Sequence, residues 1–304
     1  MFPAFNFKFK IIAVPKQSSV SKAVIPVAGL GTRLLPASLV TPKELWSLLG
    51  VPVLQVIVEE ILAAKITEVI FIVSPQKAMV REYFSRRGNH RLKKLCEQTG
   101  QLALWQRHAR LFAKAKFKFC EQVKPRGDGQ AILQARKLVG NNPFLVVFGD
   151  EISLKENSSR KLINLFQRRP GAAVALARVP SAEVSKYGIV QPGQQSSSLV
   201  EVRSLIEKPS IKKAPSDLAL TGKYVLPPEI FGLLQKLAPA KKELRLIDAL
   251  AELRQVRPIW GQIMPGLRLD TGNHFGFLQA QIELAYREPK LKTALQQYLP
   301  KLLG

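Results

Sequence analysis

This sequence is short of cysteine, of acidic residues and of long apolar runs. Its two cysteines, Cys96 and Cys120, make no disulfide framework, so a reducing, cytoplasmic setting is expected. No stretch reaches the roughly eighteen consecutive apolar residues that a membrane span needs, and no span is expected. The opening residues also lack the apolar region of about 7–15 residues that marks a secretory signal. Lys8, Lys10, Pro15 and Lys16 interrupt the stretch that holds Phe2, Phe5, Phe7 and Phe9. Residues 1–20 are read as a loose basic extension, with a membrane- or partner-binding arm as the less favoured option. Acidic residues number 22 against 46 lysines and arginines, a net charge of +24. A ligand with several phosphates would need only a few of those cations. The excess predicts salt-sensitive, nonspecific binding to nucleic acid or other polyanions, or it reflects a generally basic proteome.

Apolar residues, by contrast, make up 46% of the 304 residues, enough for one large α/β domain or two small ones. The chain is organised around the stretch from Lys22 to Glu44. Ala23 to Val27 is a short apolar run of the kind buried inside parallel sheets. It breaks into Gly29-Leu30-Gly31-Thr32-Arg33. Glycine reaches positive φ and carries no Cβ, so backbone N–H groups from Ala28 onward can close on a phosphate or a base. Arg33 adds a planar charge suited to phosphate oxygens, and Lys43 follows Pro42 as a second cation. A dinucleotide fingerprint would need a third glycine where Leu34 stands, and a P-loop would close with Gly-Lys-Ser/Thr where Arg33-Leu34-Leu35 stand. An ordinary strand-to-helix turn is the structural alternative. The added Thr32-Arg33, Leu35-Pro36 and Pro42-Lys43-Glu44 favour a grip on a nucleoside triphosphate.

This stretch resembles the sugar-nucleotide pyrophosphorylases, and most closely the bacterial UTP–glucose-1-phosphate uridylyltransferases. Their signature is Gly-x-Gly-Thr-Arg-x-Leu-Pro-x-Ser/Thr-Lys-x-x-Pro-Lys-Glu. Here Gly29, Gly31, Thr32, Arg33, Leu35, Pro36, Ser38, Pro42, Lys43 and Glu44 keep it. Leu39 replaces the family's lysine, and Trp46-Ser47 its usual Leu-Pro.

Further motifs follow in the family's order. A helix over Val51–Lys65 and a strand over Glu68–Val73 predict a βαβ unit. The cation-rich stretch from Lys77 to Lys118 reads as solvated helical faces rather than a nucleic-acid site, and the resemblance places a helical insert there. Phe117 to Gln122 alternates as a half-buried strand, with a loop through Ala131 and a helix from Ile132. The amide of Gln122 could read a base, since it both donates and accepts; the resemblance sets it against uracil, with Gly127 supplying a backbone contact. A plain glycine turn remains open at Gly127. The loop Arg126-Gly127-Asp128-Gly129-Gln130-Ala131 is more polar than the family's Leu-Gly-Leu-Gly-His-Ala. Asn142 to Phe148 is a buried strand that delivers Asp150 to a sheet's C-terminal edge, where ligands bind. A turn cap is the alternative there, and Glu151 is a weaker candidate. Tyr187-Gly188, Glu207-Lys208-Pro209, Gly222-Lys223-Tyr224 and Leu269-Asp270-Thr271-Gly272 complete the set. An Asx turn is the alternative at Asp270, and a surface ion pair at Glu207-Lys208.

The resemblance implies a Rossmann-like three-layer α/β/α fold with a mixed, mostly parallel sheet. Residues 21–304 would form one domain, with sugar binding and oligomer contacts from about 175 onward. It implies transfer of a uridylyl group from UTP to a sugar 1-phosphate, in a homo-oligomer (dimer or tetramer). The catalytic residues would be Arg33, Lys43, Asp150 and Lys208. Ala28, Gly29, Gly31, Thr32, Gln122 and Gly127 would bind nucleotide, and Gly188, Glu207, Lys208 and Gly222 the sugar. Asp150 and Asp270 would hold Mg²⁺. Other nucleotidyltransferases, thymidylyl included, share these motifs, and a weak paralogue that binds nucleotide or nucleic acid is the non-enzymatic alternative.

Overall fold

Alternation along the apolar runs divides the core into two layers. Ala23, Ile25 and Val27 pack with Val69, Phe71 and Val73 on one side, while Val24, Ile70 and Ile72 pack on the other. Successive side chains of a strand point to opposite faces, so each run feeds two layers at once. The computed structural model describes residues 19–238 and 243–303. The basic extension therefore lies almost wholly outside the described residues.

The strands in chain order are β1 (Lys22–Pro26), β2 (Ser47–Leu48), β3 (Val51–Pro52), β4 (Glu68–Val73), β5 (Lys116–Glu121), β6 (Phe144–Val147) and β7 (Glu151–Leu154). They continue with β8 (Ala172–Arg178), β9 (Gly188–Ser196), β10 (Leu199–Glu207), β11 (Leu218–Leu226), β12 (Ile259–Ile263) and β13 (Leu267–Asp270). Nine of them form one sheet in the order β5-β4-β1-β6-β11-β8-β12-β10-β9. β5, β4, β1 and β6 run parallel, as do β8 and β12. Only β11 and β10 run against the rest. The mixed sheet is thus mostly parallel in strand direction. β13 and β7 form a separate antiparallel ribbon, which pairs Asp270 with Glu151.

Helices Val53–Ala63 and Ser158–Arg168 contribute Leu54, Ile57, Ile61, Leu162 and Phe166 to one layer. Helices Asp128–Gln134, Ile230–Leu237 and Leu246–Val256 contribute Ile132, Phe231 and Leu250 to the other. The three-layer expectation is met. One boundary moves: the helix expected from Ile132 begins at Asp128, whose carboxylate accepts from the Gly129 N–H.

The cation-rich insert folds as helices Arg86–Gln98 and Leu102–Lys114. Its charges are partly met by acids from elsewhere in the chain: Arg107 grips Glu59, Lys118 meets Glu68 and Arg81 meets Glu121. Lys93 lies over the Trp105 ring, and Phe112 packs on the core. These contacts agree with the helical-face reading.

Strand order reverses at β1, which has β4 on one side and β6 on the other. The loops that leave β1 and β6 diverge there and open a crevice at the C-terminal edge. The glycine turn and Asp150 both sit on it.

Candidate active site

Two adjoining cavities occupy that crevice. The first, of about 420 Å³, is lined by Ala28, Gly29, Thr32, Lys43, Gln122 and Gly127, among others. The second, of about 240 Å³, is lined by Arg33, Gly188, Glu207, Lys208, Gly222 and Asp270, among others. Asp128, Phe148 and Asp150 belong to both. Every expected site residue but one therefore lines a cavity, and the cavities divide them as the motifs do, with Arg33 on the second.

The exception is Gly31. At φ 67° it makes the left-handed turn that glycine takes without strain, and its carbonyl accepts from the Ser38 hydroxyl at 2.9 Å. It shapes the loop rather than lining it. Gly127, at φ 99°, passes so close to the next loop that a Cβ would lie 2.2 Å from the Leu244 carbonyl oxygen. Its own carbonyl accepts from the Gln122 amide at 3.0 Å. Gln122 also donates to Gln130, so the amide is oriented before any ligand arrives.

Asp150 sits at the junction. Lys43 donates to its Oδ2, and Arg33 reaches both acids, 3.8 Å from Asp150 and 3.4 Å from Asp270. Burial alone would raise the Asp150 carboxyl; Lys43 and then Arg33 outweigh it and hold it below the usual carboxylate range. Burial would likewise lower the Lys43 ammonium, and Asp150 and Glu44 hold it above its ordinary value. The Asx turn that stood as the alternative at Asp270 is present, with the Gly272 N–H on Oδ1 at 2.8 Å. The turn and the site role are compatible, because Oδ2 still faces Arg33.

The two acids converge beside Gly272. A Cβ there would lie 2.4 Å from Asp150 Oδ2 and 2.9 Å from Asp270 Oδ1. This cradle fits a divalent cation held by two carboxylates, with substrate phosphates and water completing its shell. No group of three or more His, Cys, Asp or Glu suited to a metal occurs among the described residues, so the protein's share would be those two carboxylates.

On the second cavity, Glu207 ends β10 and Lys208 follows it. Their side chains lie 3.8 Å apart with Lys208 mostly exposed, so the pair is loose. Gly222 has φ 70°, and a Cβ there would lie 2.7 Å from Glu151 Cγ; glycine lets Glu151 in. Arg268 donates to both Glu151 carboxylate oxygens, from Nε to Oε2 at 2.8 Å and from Nη2 to Oε1. Burial pushes the Glu151 carboxyl up and Arg268 opposes this.

Three charged residues at or beneath the cavities carry no local signal that singles them out in the sequence. Arg268 is one, although it stands two residues before Asp270 and so shares its strand face. Lys77 is another: it is buried and meets the buried Glu44 at 2.8 and 2.9 Å beneath the first cavity. Asp128 is the third. The departures at Leu39 and Trp46 lie off both cavities. Leu39 is 80% exposed. Trp46 stacks edge-on against Phe277 at 5.3 Å and donates to the Thr41 carbonyl, a packing contact with the helix His274–Ala285.

A glycine turn and paired aspartates at the switch point of such a sheet make this a phosphate-handling α/β protein. The nucleotidyl transferase family model matches residues 22–286, and the chain belongs to that family. It is 36% identical over 295 residues to a UTP–glucose-1-phosphate uridylyltransferase of Streptococcus pneumoniae, covering 94% of this chain and 97% of that protein. A UTP–glucose-1-phosphate uridylyltransferase 1 of Streptococcus pyogenes is 35% identical, with 94% and 95% covered. Among solved structures, a UTP-bound UDP-glucose pyrophosphorylase from Acinetobacter baumannii superposes with a TM-score of 0.85 at 31% identity, over 93% of this chain and 99% of that one. The motif resemblance to the uridylyltransferases is borne out.

Proposed function

We propose that the chain transfers a uridylyl group from UTP to glucose 1-phosphate, releasing pyrophosphate and UDP-glucose. The observation that carries this reading is the meeting of the two cavities at Asp150. One holds the glycine turn and Gln122, the other Glu207 and Lys208. A nucleotide in the first and a sugar phosphate in the second would bring the reacting groups together there.

A phosphate oxygen of the sugar 1-phosphate would attack the α-phosphorus of UTP in line, and the bond to pyrophosphate would break. The attacking oxygen is already ionised, so no protein base is required. The work left to the chain is positioning and charge neutralisation. Gln122 and the Gly127 backbone would fix the uracil. Lys43 and Arg33 would turn from the aspartates to triphosphate oxygens, and Lys208 would aim the sugar phosphate. Glu207 and the Gly188 backbone would hold sugar hydroxyls. Asp150 and Asp270 would hold Mg²⁺, which neutralises phosphate charge when bound.

The test is pyrophosphate release with glucose 1-phosphate and Mg²⁺, comparing UTP with dTTP, ATP, CTP and GTP. Metal-dependent release with UTP is expected. Release with dTTP alone would move the chain to the thymidylyl branch, and silence from folded protein with every nucleotide would defeat the reading.

A further inference from the structure

Asp128 is the one carboxylate common to both cavities that no cation pairs with among the described residues. Its Oδ1 accepts from two backbone N–H groups, Gly129 at 2.7 Å and Leu246 at 2.9 Å. That contact ties the start of helix Asp128–Gln134 to the start of helix Leu246–Val256. A neutral amide or hydroxyl oxygen would serve as well, since asparagine and serine cap helices as readily as aspartate. The tie does not call for a charge, and burial penalises one: it pushes the carboxyl up, against the pull of the Leu246 and Gly129 N–H groups, and Glu207 adds to the rise. A half-buried carboxylate without a cation, on a cavity wall, is open to a ligand that donates to it.

The surroundings say which ligand group. In the second cavity Asp128 stands with Glu207, Tyr224 and Leu246. Tyr224 is buried. Burial, then Asp128, Glu151 and Glu207, keep its phenol neutral. These carboxylates and the phenol suit the hydroxyls of a polyhydroxylated ring, and the cations Lys186, Lys208 and Arg245 on the same lining suit its phosphate. No described residue donates a hydrogen bond to Asp128 Oδ2.

We propose that Asp128 is a specificity residue, whose Oδ2 accepts a hydrogen bond from a ring hydroxyl of the sugar 1-phosphate held opposite by Glu207. This rests on the transferase reading above and deepens it. At the matching place the family loop carries leucine, which can accept nothing, so the contact would belong to this chain's own departure from the signature.

The experiment compares kcat/KM for glucose 1-phosphate and its 2-, 3-, 4- and 6-deoxy analogues, with UTP and with 2′-deoxy-UTP, in the wild type and in Asp128→Asn. The asparagine keeps one carbonyl oxygen for the two N–H groups and removes the second acceptor. In the wild type one deoxy sugar is expected to lose about tenfold or more, the scale of a hydrogen bond to a charged group. In Asp128→Asn, glucose 1-phosphate itself should fall by a similar factor, and the penalty for that deoxy sugar should shrink to about threefold or less, as expected of coupled partners. Unchanged deoxy penalties in a folded Asp128→Asn would overturn the proposal. So would a penalty that depends on Asp128 for 2′-deoxy-UTP but for no sugar, which would hand the residue to the ribose. If Asp128→Asn does not fold, as judged by circular dichroism, Asp128→Ser carries the same comparison. Wild-type protein that turns over none of these sugars would defeat the transferase reading itself, an outcome distinct from the other two.

Discussion

Lys43 donates to Asp150 across the mouth of the crevice, one residue from the loop that leaves β6 and one after the proline that ends the glycine stretch. With Arg33 beside them, two cations and two carboxylates neutralise one another at the point where the cavities join. The site is therefore assembled and charge-balanced before substrate enters. Phosphates and a divalent cation would exchange partners with groups already in place, which limits reorganisation during the reaction.

Asp150→Asn should keep the fold and lose turnover. The amide retains the shape but not the charge that a metal and Lys43 require. A fall in kcat of at least about a hundredfold is expected, on the scale of losing one preorganised electrostatic group. Steady-state kinetics across a metal titration check this. Near-normal kcat would remove Asp150 from the metal assignment.

Lys208 is mostly exposed and only loosely met by Glu207, so little in the fold depends on its ammonium. Lys208→Ala should leave the melting temperature nearly unchanged and raise the KM for glucose 1-phosphate by about tenfold, the worth of a charge-assisted contact. The KM for UTP should move little. An unchanged KM for the sugar phosphate would count against the role.

Arg268 and Glu151 predict a pH effect of definite sign. Burial holds the Glu151 carboxyl at about 7 even with Arg268 in place, above its unfolded value. A carboxyl raised on folding loses stability as pH climbs between those two values. Arg268→Met removes the opposing charge and should raise the carboxyl further. The variant should lose about 3–5 kcal/mol at pH 8, the scale for breaking a buried pair. Part of that loss should return at pH 6, where Glu151 takes up a proton. Thermal melts of wild type and variant from pH 5 to 8 check this; a deficit that is constant with pH, or larger at pH 6, would refute the assignment.

Glu44 and Lys77 are a second buried pair, one residue from Lys43. Lys77→Met leaves the Glu44 carboxylate free beside the phosphate cavity, where it competes for Lys43 and repels phosphate. The variant should lose about 3–5 kcal/mol of stability and raise the KM for UTP. Adding Glu44→Gln removes the stranded charge and should restore most of both. A double variant no better than the single one would show that the pair's charge is not what matters.

Much of the fold was legible because its signals are local. β4 falls where the β-rich run placed it, at Glu68–Val73, and β6, at Phe144–Val147, lies within the run from Asn142 to Phe148. Their side chains show the apolar pattern of a sheet covered on both faces. The ribbon of β7 and β13 was not seen, because neither strand has such a run. The helix that begins at Asp128 reads as starting four residues later, at Ile132, because Gly127 and Gly129 read as loop, while the acceptor that satisfies the Gly129 and Gln130 N–H groups at its start is the carbonyl of Leu244, far away in the chain.

The sequence by itself determined the glycine turn, the order of the motifs and the identity of the charged groups. Each depends on a few neighbouring residues, whose backbone preferences act whatever the rest of the chain does. Only the tertiary structure decided which charges meet. Lys43 and Asp150 stand 107 residues apart and Arg268 and Glu151 117, and strand order and register bring them together. Burial, also a tertiary property, then separates Asp150, held ionised by two cations, from Asp128, left with a carboxylate that no described cation meets.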